Sequence, residues 1–500
     1  MKKSIKGLIQ SIVFRLTSDR LRKVVEASPH RLLPIFDHAA VREKYIGEDV
    51  SLSPGLWDIT CGTEGQMMLN GVDCLQLAEQ YGTPLYVVDR NRLQRNYRDF
   101  HESFRKVYPR VEVAYSYKTN PLPGALMALH EFGADAEVVS GFELWLALRL
   151  GVDPDRIIYN GPGKTEDDLA TAVSRNIKLI NIDGAHEMDI IDRLAGKHGH
   201  RQHVGVRVVT STGWKSKFGF SIETGAAFDA YRHLKGLKNV IPSGMHVHLS
   251  SEMSSVDHYA WAAREMLKLA RLLENNLNIT IRYFDIGGGY STIPSVRGYT
   301  PLEQKLMNAN IPVQEAKLRG CPSPAEYSKA IVHVFNKFYP QNSSVEPPTI
   351  ILEPGRAITS TAQFLLLKVL DIKTPRNGIT DVILDGGRNV AAPAEWECHE
   401  ILHASRIMAS PDGYYQVFGP TCTPYDFLYK IKRLPFLKPG DILALMDAGA
   451  YFIPTQANFS FPRAAAVMVG DGKQWLIRKR EDYEDIVGKD ILPSELHPDE

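Results

Sequence analysis

From about residue 84 the chain repeats one pattern: a short apolar, often β-branched run followed by a longer stretch with helical spacing. The runs are PLYVVD, VEVAYSYK, ADAEVVS, RIIYNGP, KLINID, HVGVRVV, GMHVHLSS, YFDIGGG and TIILEPGR. Strands that are apolar without interruption are buried on both faces, and strands separated by helices read as parallel βα units. Eight or so such units predict an α/β fold with a (β/α)8 barrel over residues 83–360, with an open doubly wound sheet as the rival. After Arg356 the pattern changes to strand-like runs with few helical stretches: AQFLLLKVLDI, DVILDGG, YYQVFGP, DILALMDAGAY and AAAVMVG. Residues 361–500 therefore read as a separate antiparallel β-barrel or sandwich domain, which the strand-like segment 51–82 joins from the other end of the chain. About sixty residues separate Gly289 from Glu353, far more than one barrel helix needs, so an insert is expected near 291–322.

At the N-terminus, Ile5, Leu8, Ile9, Ile12 and Leu16 fall at helical spacing among lysines and arginines, which predicts an amphipathic basic helix within residues 1–50. Arg15 interrupts the apolar stretch and no small-residue cleavage site follows, so it reads as a helix docked on its own protein, not as a signal peptide or membrane contact. Hydrophobic residues make up 44% of the 500, enough for a large core and more than one domain. Lys+Arg and Asp+Glu both number 58, so no net field favours nucleic acid or an anionic membrane, and a small-molecule partner is expected. The five cysteines (Cys61, Cys74, Cys321, Cys398, Cys422) are widely spaced with no CxxC pair. That excludes a zinc knuckle, leaves no metal site to expect, and fits a reducing cytoplasm.

In a barrel, chemistry gathers where strands end and loops begin, and here those ends are polar. Lys118, Ser140 and Asn160 close three runs, Arg207 and His248 lie within two others, Gly287, Gly288 and Gly289 end YFDIGGG, and Glu353 and Arg356 end TIILEPGR. Alone, Lys118 reads equally well as a solvated strand end. A glycine triplet, however, lets backbone N–H groups approach an anion, and Arg356 adds a forked cation suited to phosphate. Glu353 is placed to hold a charged ring nitrogen. An amine, an anion cradle and a carboxylate are what pyridoxal 5′-phosphate requires.

With these motifs in hand, the chain closely resembles the fold-type III pyridoxal-phosphate decarboxylases, the diaminopimelate, ornithine and arginine decarboxylase group, from NGVDCLQLAEQYGTPLYVVD to FPRAAAVMV. The resemblance implies that Lys118 in AYSYKTNP forms the Schiff base and that Glu353 of EPGR bonds the pyridine nitrogen. His248 in HVHLSS stacks on the ring, with His246 its look-alike two residues earlier. Ser251, Gly288, Gly289, Arg356 and Tyr451 form the phosphate site, Gly355 also binds the cofactor, and Glu137 and Arg207 form a supporting ion pair beside the lysine. Cys422 in GPTCTPYD matches the cysteine that reaches the partner subunit's site and reprotonates the α-carbon, which implies a homodimer with shared sites.

The pattern departs from the family where substrate is chosen. Thr423 follows Cys422 where diaminopimelate and ornithine decarboxylases carry an acidic residue, and Ser250 replaces a usual glycine. The usual Arg-Pro-x-Leu-Tyr segment, with its carboxylate-binding arginine, is APAEW here, with Ala392 and Trp396. Asp385, Arg388, Trp396, Thr423 and Asp426 are the candidate substrate contacts. The expected function is α-decarboxylation of an amino acid or conjugate, carrier-tethered amino acids included, in secondary metabolism, with a substrate other than diaminopimelate. A racemase or other α-carbon enzyme on the same cofactor is one alternative, and a non-catalytic regulatory homologue is another, disfavoured by intact lysine and phosphate motifs.

Overall fold

The computed structural model describes residues 52–299, 318, 320–340, 346–376 and 379–493. The helix expected within 1–50 and most of the insert near 291–322 lie outside these residues. Eight parallel strands close into a barrel: Val111–Ser116, Asp135–Val138, Ile157–Tyr159, Leu179–Ile182, Gln202–Val209, Val240–His246, Tyr283–Asp285 and Thr349–Leu352, the fifth pairing back to the fourth. Closure rules out the open doubly wound sheet. One run in the sequence pattern belongs elsewhere: Leu85–Asp89 lies in the second sheet, antiparallel to Gln363–Arg376 and parallel to Ala465–Gly470. It is buried on both faces, as a barrel strand is, so its composition does not distinguish the two places. The helix after it, Arg90–Arg105, does join the barrel. It packs between Pro324–Phe338 and Pro123–Glu131 and starts where Asp89 accepts from the backbone N–H groups of Asn91 and Arg92.

The second sheet is mixed, not purely antiparallel, because Ile379–Leu384 and Gly413–Phe418 also run parallel. Residues 59–73 form a separate three-stranded sheet that packs Ile59, Met67 and Leu69 into one core with Leu85, Val87, Phe364 and Leu366 of the second sheet.

Inside the barrel, alternation along each strand turns every second residue inward. The lower inward layer is apolar, with Ala114, Ile158, Leu179 and Ile351 packed together against Tyr283. One step toward the C-terminal mouth, every strand or its end turns a polar residue inward: Ser116, Glu137, Asn160, Asn181, Arg207, His246, Asp285 and Glu353 are all buried. Gly205 fits this packing because a Cβ there would lie 2.1 Å from Asn181 Oδ1.

Candidate active site

The polar layer floors a cavity of about 750 Å³ at the barrel mouth. Lys118 sits just past its strand in a short turn, Tyr117–Thr119, which brings its amine back over the barrel. Its Nζ donates to Ser116 Oγ at 2.6 Å and to Glu137 Oε2 at 2.7 Å. Burial lowers the lysine pKa, but the charges of Glu137 and Glu353 outweigh it and hold the amine above its ordinary value.

Hydrogen bonds run on from Glu137. Asn160 donates to Glu137 Oε1 at 3.0 Å and also to Glu353, and Asn181 donates to Asn160 at 2.8 Å. Glu353 stands 3.5 Å from His246 Nε2. Burial raises the Glu353 pKa, but His246 and Lys118 reverse that and leave it well below the usual range. Its neighbour Asp285 is pushed far up, by burial first and then by the Glu353 charge. The pair thus carries one negative charge, on Glu353, facing the cavity. That anion suits a protonated ring nitrogen.

Above this floor, His248 lines the cavity beside Trp214, its Nδ1 accepting from the Gly288 N–H at 3.2 Å. Burial, and then the Lys118 charge, lower its pKa to about 3, so the ring is neutral. Gly289 has φ +86° and lies so close to Ser250 that a Cβ would meet its carbonyl at 1.7 Å. Ser251 and Tyr451 complete the rim, with Arg356 Cζ 5.3 Å from the Tyr451 ring. Gly355 packs against Thr119, where a Cβ would lie 2.0 Å from Oγ1.

The structure separates some residues expected together. Glu137 and Arg207 are not a pair: Glu137 faces Lys118, while Arg207 bonds Asp183 at 3.4 Å and lies 4.0 Å from the centre of the Phe218 ring. Ser140 caps a helix by accepting from Glu143 N–H. Of the five candidate substrate contacts only Trp396 lines the cavity. Asp385 accepts from Lys368 N–H, and Asp426 accepts from Arg388 N–H and Thr421, so both carboxylates fasten backbone. Arg388 lies 3.5 Å from Glu395 with Phe427 beneath it. Cys422 is exposed and Thr423 half-buried, and neither borders the cavity of its own chain.

Sequence reasoning missed His246 as the partner of Glu353, Asp285 as its proton-bearing neighbour, and Glu397. Alternation from Ser116 or Asn160 across each strand end would have found the first two. Glu397 needed the fold, because it binds Arg356 from 41 residues away through two bonds, at 3.0 and 2.6 Å. The Nε of Arg356 is buried without a protein partner.

A buried guanidinium N–H without a partner beside Ser251 and Tyr451, an amine and the floor carboxylate of Glu353 match the phosphate, aldehyde and ring nitrogen of pyridoxal phosphate. The known proteins agree: a family model described as "Pyridoxal-dependent decarboxylase, pyridoxal binding domain" matches residues 92–360. The chain belongs to this family. It is 30% identical to the diaminopimelate decarboxylase of Aquifex aeolicus over 85% of this chain and 95% of that one. Identity is also 30% to the Methanothermobacter thermautotrophicus enzyme, over 88% and 99%. The crystal structure of the M. jannaschii diaminopimelate decarboxylase in complex with L-lysine superposes with a TM-score of 0.79, at 28% identity over 88% of this chain and 99% of that one. This decarboxylase is thus a pyridoxal-phosphate-dependent enzyme acting on an amino acid. No helix among the described residues is long and apolar enough to cross a membrane.

Proposed function

We propose that this decarboxylase removes the α-carboxylate of a small amino acid other than diaminopimelate, with the cofactor attached to Lys118. When bound, pyridoxal phosphate supplies an electron sink conjugated to the substrate α-carbon. Glu353 keeps the ring nitrogen protonated, and the buried Asn160 and His246 hold that carboxylate in place. His248, neutral in this setting, packs on the ring without adding charge. Ser251, Gly288, Gly289, Arg356 and Tyr451 hold the phosphate.

Glu137 positions the Lys118 amine and balances its charge. The thiol of Cys422, exposed on its own chain, serves as proton donor to the α-carbon in the site of a partner subunit. That makes the working unit a homodimer.

The substrate reading is carried by the segment APAEW, where Ala392 stands in place of the arginine that the family resemblance leads one to expect for a carboxylate, and from which Trp396 reaches the cavity. Carbon dioxide release is measured from meso-diaminopimelate, lysine, ornithine, arginine, glutamate and carrier-bound amino acids. Turnover is expected with one of these other than diaminopimelate. Efficient turnover of meso-diaminopimelate overturns the reading.

A further inference from the structure

One wall of the cavity is a small ribbon joining the two domains. Glu397–Cys398 pairs antiparallel with Arg297–Gly298, and Tyr299 N–H donates to Trp396 C=O at 2.8 Å. Gly298, Tyr299, Trp396 and Glu397 all border the cavity. Glu397 is buried at 4% exposure and is fixed twice, by its backbone in the ribbon and by the Arg356 fork, with His399 Nε2 3.3 Å away. A carboxylate held this firmly does not swing away to make room for another.

Of the two arginines lining the cavity among the described residues, Arg207 is paired with Asp183, and Arg356, beside this ribbon, has both Nη groups on Glu397 with only Nε left for the phosphate, so neither offers a free charge to a second substrate carboxylate. The Arg356–Glu397 pair is net neutral, so a substrate carboxylate reaching this wall would be desolvated without gaining a cation, a device against the wrong ligand. Aromatic rings border the cavity on both sides, Tyr299 and Trp396 from the ribbon and Trp214 and Phe218 from elsewhere, the last with Lys217 over its ring, and they suit an extended carbon chain.

We propose that Glu397 is a specificity-determining residue that confines the substrate to α-amino acids whose side chain carries no second carboxylate. The inference rests on the cavity being the amino-acid site of the decarboxylase, so its test uses ligands that cannot be decarboxylated. Pentylamine and 6-aminohexanoate are both primary amines without an α-carboxylate and differ only by a distal carboxylate. Their dissociation constants are measured on the cofactor-loaded enzyme by calorimetry, together with the affinity of pyridoxal phosphate itself.

The wild type is expected to bind pentylamine more tightly. Glu397→Gln tightens 6-aminohexanoate about tenfold or more and leaves pentylamine within about twofold. Glu397→Asp, which keeps the charge, retains wild-type selectivity, and Glu397→Met reads the same quantity if the amide fails to fold. The proposal falls if both amines change by one factor, if neither tightens, or if only the affinity for pyridoxal phosphate changes, since Glu397 then serves the phosphate instead. These outcomes do not depend on turnover, so failure of the decarboxylase reading appears separately, as absent carbon dioxide release with unaltered amine binding.

Discussion

Replacing Glu137 with Gln removes the charge facing Lys118 Nζ at 2.7 Å and keeps an acceptor there. In the wild-type site burial disfavours the ammonium, while Glu137 and then Glu353 restore it and more. An opposite charge in direct contact shifts a pKa by about 1–3 units. With Glu137 neutral, the burial penalty is opposed mainly by Glu353, and the fraction of free amine at neutral pH rises by about tenfold to a thousandfold. Only the unprotonated amine attacks an aldehyde, so covalent capture of the cofactor accelerates by a comparable factor.

The assay adds pyridoxal phosphate to cofactor-free protein in a stopped-flow instrument and follows its visible absorption as a function of pH. Wild-type capture is expected to speed up about tenfold per pH unit through the neutral range, as a group titrating above it requires. The Glu137→Gln profile begins faster and levels off at lower pH. Superimposable profiles would refute the reasoning, because they would mean that Glu137 does not set the protonation of Lys118. The same pair has a stability signature. The folded-state pKa of Lys118 lies above its ordinary 10.5, so the contribution is complete across neutral pH and is lost only as pH rises through the folded value. A glutamine keeps its acceptor toward Lys118 only by turning its NH2 toward the Asn160 amide that donates to Glu137 Oε1, so the loss is about 1–3 kcal/mol near pH 6 in urea unfolding of the cofactor-free protein, and smaller near pH 8, where removing the Glu137 charge also relieves Glu143.

Glu143 gives the opposite pH signature: burial first, then the Glu137 charge, raise its pKa from 4.5 to about 7. The folded state therefore holds a proton that the unfolded state releases, and stability falls as pH rises between these values. Glu143→Gln is expected to stabilise by about 2–3 kcal/mol above pH 7, with the gain vanishing toward pH 4.5 in urea titrations. Glu353→Gln should retain covalently bound cofactor, seen by absorbance after borohydride treatment, while carbon dioxide release drops about a hundredfold or more. Mixing inactive Lys118→Ala and Cys422→Ala proteins should recover about a quarter of wild-type activity, since each mixed dimer rebuilds one shared site; no recovery would place Cys422 outside the partner's site. Gly289→Ala combines φ +86° with a Cβ 1.7 Å from the Ser250 carbonyl, and should destabilise by about 3 kcal/mol or more, read from its urea midpoint.

The barrel was legible because continuous apolar strands alternating with helices have few other solutions, and the site was legible because Lys118, the glycine triplet and Glu353 follow their strands directly. Leu85–Asp89 was not assignable to its sheet, since a strand buried on both faces has the same composition in either domain. Asp385 and Asp426 looked like substrate contacts because a polar residue beside a family motif draws attention. Both bond backbone groups instead, a use of Asp that leaves no distinctive spacing.

What separates the legible part from the rest is sequence distance. Lys118, Ser116 and Glu137 are linked by a strand end and its neighbour, and strand-end chemistry is written locally in each βα unit. The ribbon wall of the cavity is assembled differently. Gly298 pairs with Glu397 across about a hundred residues, and Glu397 then turns to Arg356 in a third segment. Each of the three sits in a separate motif, and the fold alone makes them one surface. Relatives that share the barrel floor can therefore share the decarboxylation chemistry while differing in substrate. A change at this wall, such as a glutamate paired with Arg356, alters its charge without touching the floor of Lys118, Glu137 and Glu353.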